Sequence, residues 1–284
     1  MLAVLLALLL MTTAQSQDRT QVFLNHAFVV PDQATYDAIA QSQFMQKEFG
    51  AFESRTTVRQ DMTYTGIYWY GTDTYFEVLM PSASEQSSSG IAFGVEARGG
   101  LQSLVNVGVP GEILPVTRQA EGKDVDWFHR LEINFSGKHD AELFIIEYEP
   151  DFLSHWYPQF PPQNPSIRRS DVLERYAAKV GKAAEREHGL LQDVSAIHLL
   201  LPPAEVEHLL GLCSKLGFTV KRGSPSVCNG PDLALVLDEA KGKPGRTGIT
   251  SMEFRLTREK TGEQSLRLGT STLEFKGRGA KWVF

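Results

Sequence analysis

Three ionisable side chains sit inside otherwise apolar, strand-like stretches. They are His26 in Asn25-His26-Ala27-Phe28-Val29, Glu77 in Phe76-Glu77-Val78-Leu79, and Glu147 in Ile145-Ile146-Glu147-Tyr148. A carboxylate among large apolar residues is costly unless a cation, a proton or a donor meets it. A histidine and two carboxylates on neighbouring strands suit a divalent metal with positions left open for water or substrate. A shared proton, or Arg55, would satisfy the acids equally well. A lone histidine on a buried strand is ordinarily a hydrogen-bonded core residue. The two acids at matching strand positions are what turn His26 into a member of a set. Tyr68, Tyr70 and Trp127 are the aromatic side chains expected to line a substrate pocket. Strand alternation sends about half of the stripe Tyr64, Tyr68, Trp69, Tyr70 and Tyr75 to the opposite face, so part of it is packing.

The elements that must position these groups repeat along the chain. A short strand, a helix with one apolar face and further strands begin at Val22, again at Ile91, and again at Ala196. Units that cannot bury their apolar faces alone pair or stack. Three divergent copies are too few for a solenoid and fit paired βαβββ units. The fold class read from this is α+β, with paired βαβββ modules forming a cupped mixed sheet and an additional C-terminal βαβββ-like half-module. The expected organisation is a signal peptide over 1–16, a paired domain over 20–150, a Pro-rich linker and helix over 151–190, and the C-terminal half-module over 191–284.

Local signals support these elements. Pro31-Asp32 ends the first strand and offers an N-cap to a helix with Tyr36, Ile39 and Ala40 on one face. Gly100 to Val105 reads as a short helix. Ser170 reads as the cap of a helix burying Leu173, Tyr176, Ala177 and Val180. Pro202-Pro203 open an amphipathic helix with Val206, Leu209, Leu210, Cys213 and Leu216, and Gly217 stops it. The four prolines between Pro158 and Pro165 exclude a strand interior.

Composition narrows the function classes. The 284 residues are 42% hydrophobic and 22% charged, as in a globular protein with a sizeable core. A formal net charge of −6 without a basic run argues against nucleic-acid binding, which needs a cationic face. Leu2 to Met11 followed by Thr12-Thr13-Ala14-Gln15-Ser16 reads as a signal peptide cleaved after Ala14 or Ser16. The product is then secreted or periplasmic, with no stable membrane insertion after cleavage. Cys213 and Cys228 admit a bridge worth about 3 kcal/mol in an oxidising compartment, or Cys213 is a small core residue. No P-loop, GxGxxG, GxSxG or HExxH occurs.

The strands carrying His26, Glu77 and Glu147 resemble those of the vicinal oxygen chelate superfamily, which includes glyoxalase I, extradiol dioxygenases and bleomycin-resistance proteins. Within it the chain resembles a family of exported proteins whose first unit carries Leu24-Asn25-His26 and a Tyr75-Phe76-Glu77 acid strand. The resemblance implies that two βαβββ units pair into a cup, with a metal held by the first and last strand of each unit. It implies His26, Glu77 and Glu147 as metal ligands, Glu77 and Glu147 as catalytic carboxylates, and Fe, Mn, Ni or Zn as the divalent ion. The remaining ligand position falls near Gly90, which has no side chain. His129 and His155 are the candidate replacements. His198 matches His26 in the third unit, where no metal site is expected.

Two readings follow. One is a metal-dependent lyase, isomerase or dioxygenase acting on a small oxygenated substrate, with the ion as Lewis acid. The other is a metal-free protein that binds a small ligand in the aromatic cup. A third, an interaction module using the open edge of the last unit, is the blandest. The expected partner is a small molecule, not a nucleic acid, and the pattern admits a homodimer.

Overall fold

The computed structural model describes residues 20–59, 62–82, 89–120, 122–133, 141–156, 166–240 and 247–284. The signal-peptide reading and the Pro158–Pro165 segment lie outside these residues. The first strand, β1 (Val22–Val29), is followed by α1 (Gln33–Gln41), in which Asp32 accepts from the Thr35 N–H at 2.8 Å, as the sequence led us to expect. Then come β2 (Ala51–Val58), β3 (Thr63–Tyr70) and β4 (Tyr75–Leu79), completing one βαβββ unit. The second unit is β5 (Ser89–Val95), α2 (Gly100–Asn106), β6 (Ile113–Ala120), β7 (Lys123–Glu132) and β8 (Ala141–Tyr148).

The two units make one mixed sheet in the order β2-β3-β4-β1-β5-β8-β7-β6. Its first strands pair antiparallel, and each pairs in parallel with the last strand of its own unit. The sheet curls until Arg59, next to β2, forms an isolated bridge to Arg118 in β6. β6 gave no clear strand signal because Pro115 and exposed Leu114 interrupt it. An edge strand tolerates both, since it need not donate on its outer side.

Among the described residues, three helices lead to the second sheet: α3 (Pro150–Trp156), α4 (Arg169–Lys179) and α5 (Ala183–His188). α4 begins one residue before the expected Ser170 cap. Glu96 accepts from both the backbone N–H and the Nε of Arg169, at 3.1 Å each. Arg169 also reaches Asp232 at 2.6 Å and the Leu24 carbonyl, tying α4 to both sheets.

The C-terminal βαβββ unit is β9 (Leu191–Leu201), α6 (Pro203–Lys215), β10 (Thr219–Lys221), β11 (Ser226–Asn229) and β12 (Ala234–Glu239). It continues into β13 (Gly248–Leu256), β14 (Ser265–Leu268), β15 (Ser271–Lys276) and β16 (Gly279–Val283). The sheet order, β10-β11-β12-β9-β13-β16-β15-β14, repeats that of the first sheet. Among the described residues no helix separates β13 from β14. A parallel return needs a long crossover, and here β16 pairs antiparallel with β13 instead.

The apolar outer face of the first sheet packs on the second. Trp69 stacks on Phe76 at 4.7 Å, and Phe76 meets Phe254 at 5.1 Å and Trp282 at 5.7 Å. Buried Asp193 on β9 accepts from the Asp73 and Thr74 N–H groups at 2.7 and 2.9 Å. Cys213 and Cys228 are buried free thiols that share a hydrogen bond, which pushes the Cys213 thiol up, as does its burial.

Candidate functional site

The concave face of the first sheet encloses a cavity of about 100 Å³. His26 and Phe28 reach it from β1, Glu77 and Leu79 from β4, and Phe144, Ile146 and Tyr148 from β8. Arg55 lines it from β2 and Trp127, Phe128 and Arg130 from β7. A side chamber of about 30 Å³ shares Arg55, Tyr75, Trp127 and Tyr148 with it and is closed by Val172, Leu173 and Tyr176 of α4.

A one-residue bulge at Asn25 shapes the floor. β1 pairs Leu24 with Phe93 and His26 with Ala92, so Asn25 is the extra residue. Bulges re-aim side chains, and they recur beside functional sites. Asn25 Oδ1 lies 2.8 Å from His26 Nδ1, and Asn25 Nδ2 donates to the Tyr148 hydroxyl at 3.3 Å. An amide oxygen only accepts, so this contact places the imidazole proton on Nδ1 and leaves Nε2 as an acceptor. The ring stacks on Tyr75 at 4.5 Å and meets the Phe144 edge at 5.9 Å.

His26 Nε2 faces Glu77 Oε1 at 3.8 Å, with side-chain exposures of 12% and 7%. Burial drives the His26 pKa down to about 3, with the fields of Arg130 and Arg55 acting the same way. Burial drives the Glu77 pKa up to about 7, against the opposing fields of Arg55 and Arg59. The contact is therefore between a neutral imidazole and a carboxyl group that titrates near neutrality. It is not an ion pair. Arg55 itself sits over the Tyr68 ring at 4.1 Å and approaches Glu53 at 3.4 Å and the Tyr176 hydroxyl.

The structure brings His26 and Glu77 together as the sequence led us to expect, and it separates Glu147 from them. This corrects the placement of Glu147 in a common cavity. On β8, Leu143 and Ile145 join the main core on the outer face, whereas Phe144, Ile146 and Tyr148 line the cup side. Glu147 follows the outer parity. Its carboxylate accepts from Gly99 N–H at 2.7 Å and Leu101 N–H at 3.1 Å, capping α2. Of the aromatic candidates, Trp127 lines the cavity, Tyr70 lines the side chamber, and Tyr68 is fully buried beneath Arg55.

Among the described residues, the acid that the second half of the cup brings to the cavity is Glu142, which Arg130 engages at 3.4 Å. Gly90 and Ala92 pair with Phe28 and His26 across β1 and β5. A Cβ at Gly90 would lie 2.2 Å from Phe28 Cε1, so the phenyl ring occupies the space a ligand side chain would need. His129 Nδ1 is engaged by Glu149 at 2.7 Å, and His198 lies on the other sheet, 2.8 Å from Glu253. The side chain of His155 lies outside what is described. Among the described residues, no group of three or more His, Cys, Asp or Glu side chains is placed to hold a metal ion. The donor set thus reaches two protein ligands and does not complete the set that the family resemblance implies.

Comparison with known proteins places these features. Residues 24–284 match the model described as "Family of unknown function (DUF5829)". The chain belongs to that family. Comparison with curated sequences gave no match. Among solved structures, the chain is similar to a hypothetical protein from Staphylococcus aureus. They are 11% identical, with 88% of this chain and 97% of that one covered and a TM-score of 0.54. A Mn(II)-bound glyoxalase from Novosphingobium aromaticivorans matches at 12% identity, with 90% and 77% covered and a TM-score of 0.43. The 2,3-dioxygenase LapB from Pseudomonas sp. KL28 matches at 14% identity, with 81% and 72% covered and a TM-score of 0.42. Such identities speak to fold alone. The Staphylococcus aureus protein shares this chain's fold over most of both lengths.

Arg59 and Arg130 also line the cavity, and the sequence carries no signal for them, because neither stands in a motif and the curl of the sheet brings them to the cup from strands not adjacent to β1.

Proposed function

We propose that this protein is an exported, metal-independent binder of a small ligand in the aromatic-walled cup. The observation that carries this reading is the lining beside His26 and Glu77. Around the pair the cavity offers Phe28 from β1 and Phe144, Ile146 and Tyr148 from the second half of the cup, and the acid of that half, Glu142, is engaged by Arg130. Largely apolar concave sites with a few fixed polar groups are the usual form of small-molecule pockets. Asn25, His26 and Glu77 are the fixed polar groups here, supplying an imidazole acceptor and a carboxyl that donates when protonated. No helix among the described residues is long and apolar enough to cross a membrane.

The test is thermal unfolding of the purified protein after EDTA treatment, against a panel of small aromatic and oxygenated compounds and against Mn, Ni, Zn and Fe(II). A ligand at a hundred times its Kd stabilises by about 2.7 kcal/mol. The expected result is a stabilising organic compound whose effect is the same with and without chelator. Stabilisation by a divalent ion that is lost on Glu77→Gln, with no organic compound acting alone, would overturn the reading in favour of a metal-dependent site.

A further inference from the structure

We propose that the ligand is an aromatic carboxylate, its ring held in the cavity and its charge held by the arginines around the mouth. This rests on the binding reading above and adds the chemical class. The first observation is the seam where the sheet closes on itself. There, among the described residues, an isolated bridge sets Arg59 opposite Arg118. Like charges directly opposite on paired strands are destabilising, and at this seam they concentrate positive potential beside the cavity.

The second observation is how the guanidiniums are held. Arg118 lies over the Trp127 ring at 5.0 Å, Arg130 over Phe144 at 4.1 Å, and Arg55 over Tyr68 at 4.1 Å. Trp127 and Phe144 are cavity walls. A guanidinium stacked on a ring uses its face, and its N–H donors lie in its plane, which suits planar carboxylate oxygens. The same walls give a flat ring its stacking surface.

The third observation is where the balancing carboxylates sit. Glu132 and Glu142, at 3.2 and 3.4 Å from Arg130, have side-chain exposures of 46% and 40% and are screened by water. Glu53 is engaged by the Tyr70 and Tyr176 hydroxyls as well as by Arg55. Glu77 faces His26 Nε2 at 3.8 Å. The cavity lining therefore carries three guanidiniums, Arg55, Arg59 and Arg130, against the two carboxyls of Glu77 and Glu142, and an acceptor-bearing anion complements it.

The experiment is calorimetric titration of the full-length protein with 2-naphthoate, with 2-naphthamide of the same shape, and with inorganic phosphate. The expected result is that naphthoate binds at least tenfold tighter than naphthamide and than phosphate, and weakens as salt is raised. Arg118→Gln is expected to weaken naphthoate about tenfold and leave naphthamide unchanged. Equal affinity for acid and amide would overturn the proposal while leaving the binding reading standing. Phosphate binding as tightly as naphthoate would overturn the aromatic part. Failure of both naphthyl compounds overturns the proposal. The binding reading falls with it only if the wider panel is silent too.

Discussion

Two histidines occupy equivalent positions on equivalent strands, and the molecule treats them in opposite ways. His26 lies at the centre of the first sheet, neutral, roofed by aromatic rings and 3.8 Å from a buried carboxyl. His198 lies at the centre of the second sheet, 2.8 Å from Glu253, itself 3.6 Å from Lys281 and more than a third exposed. The strand order is the same. What differs is the enclosure. The first sheet curls to the Arg59–Arg118 seam, and α4 closes its side chamber. The second lacks the crossover helix in its second half. One strand pattern thus gives an enclosed cavity where the concave face is covered and a part-exposed cluster of His198, Glu253 and Lys281 where it is not.

The largest effect is expected where the sheets are joined. Trp282 of the second sheet touches Trp69 and Phe76 of the first. Trp282→Ala should cost about 3–5 kcal/mol, and denaturant unfolding should show both sheets losing structure in one transition. Two separate transitions would mean that the cup is built independently of its partner sheet.

Next in size is the pH dependence of the cup. Glu77 is raised to about 7, so the stability it contributes is complete below its unfolded pKa and is lost as pH rises toward 7. His26 is lowered to about 3, so its contribution is complete above its unfolded pKa and is lost as pH falls toward 3. The two slopes oppose each other in the mildly acidic range. Glu77→Gln should therefore be more stable than the parent at pH 8 by about 2 kcal/mol and equal to it at pH 4. His26→Gln should remove the acid-side loss alone. Chemical denaturation across pH checks both, and variant profiles that run parallel to the parent's would contradict the burial argument.

A smaller loss, about 1 kcal/mol, is expected for Glu147→Gln, because its carboxylate caps α2. Ligand affinity in the cup should not change in that variant. The smallest effect belongs to His198→Ala, within about 1 kcal/mol, since its partner Glu253 is 42% exposed and a contact open to water contributes little. Calorimetry of the two variants side by side would show whether the second sheet is as passive toward ligand as its exposure implies.

The sequence by itself determined the elements and the pair at the centre of the cup. Asp32 as a cap, Pro202-Pro203 opening α6, and the three recurring strand-helix units were all legible, because capping and apolar periodicity are local physics. His26 and Glu77 were legible as polar residues in apolar strands. The tertiary structure decided which face each side chain took. On β8, Leu143, Phe144, Ile145 and Ile146 are apolar without alternation, since both faces of the strand are buried. Nothing in such a run says whether the odd or the even positions face the cup, and a shift of one residue carries a side chain to the other face. Glu147 fell on the outer side for that reason. The arginines belong to the same class. Arg55, Arg59, Arg118 and Arg130 lie on three strands spread over some seventy residues, and only the curl of the sheet brings them to one mouth.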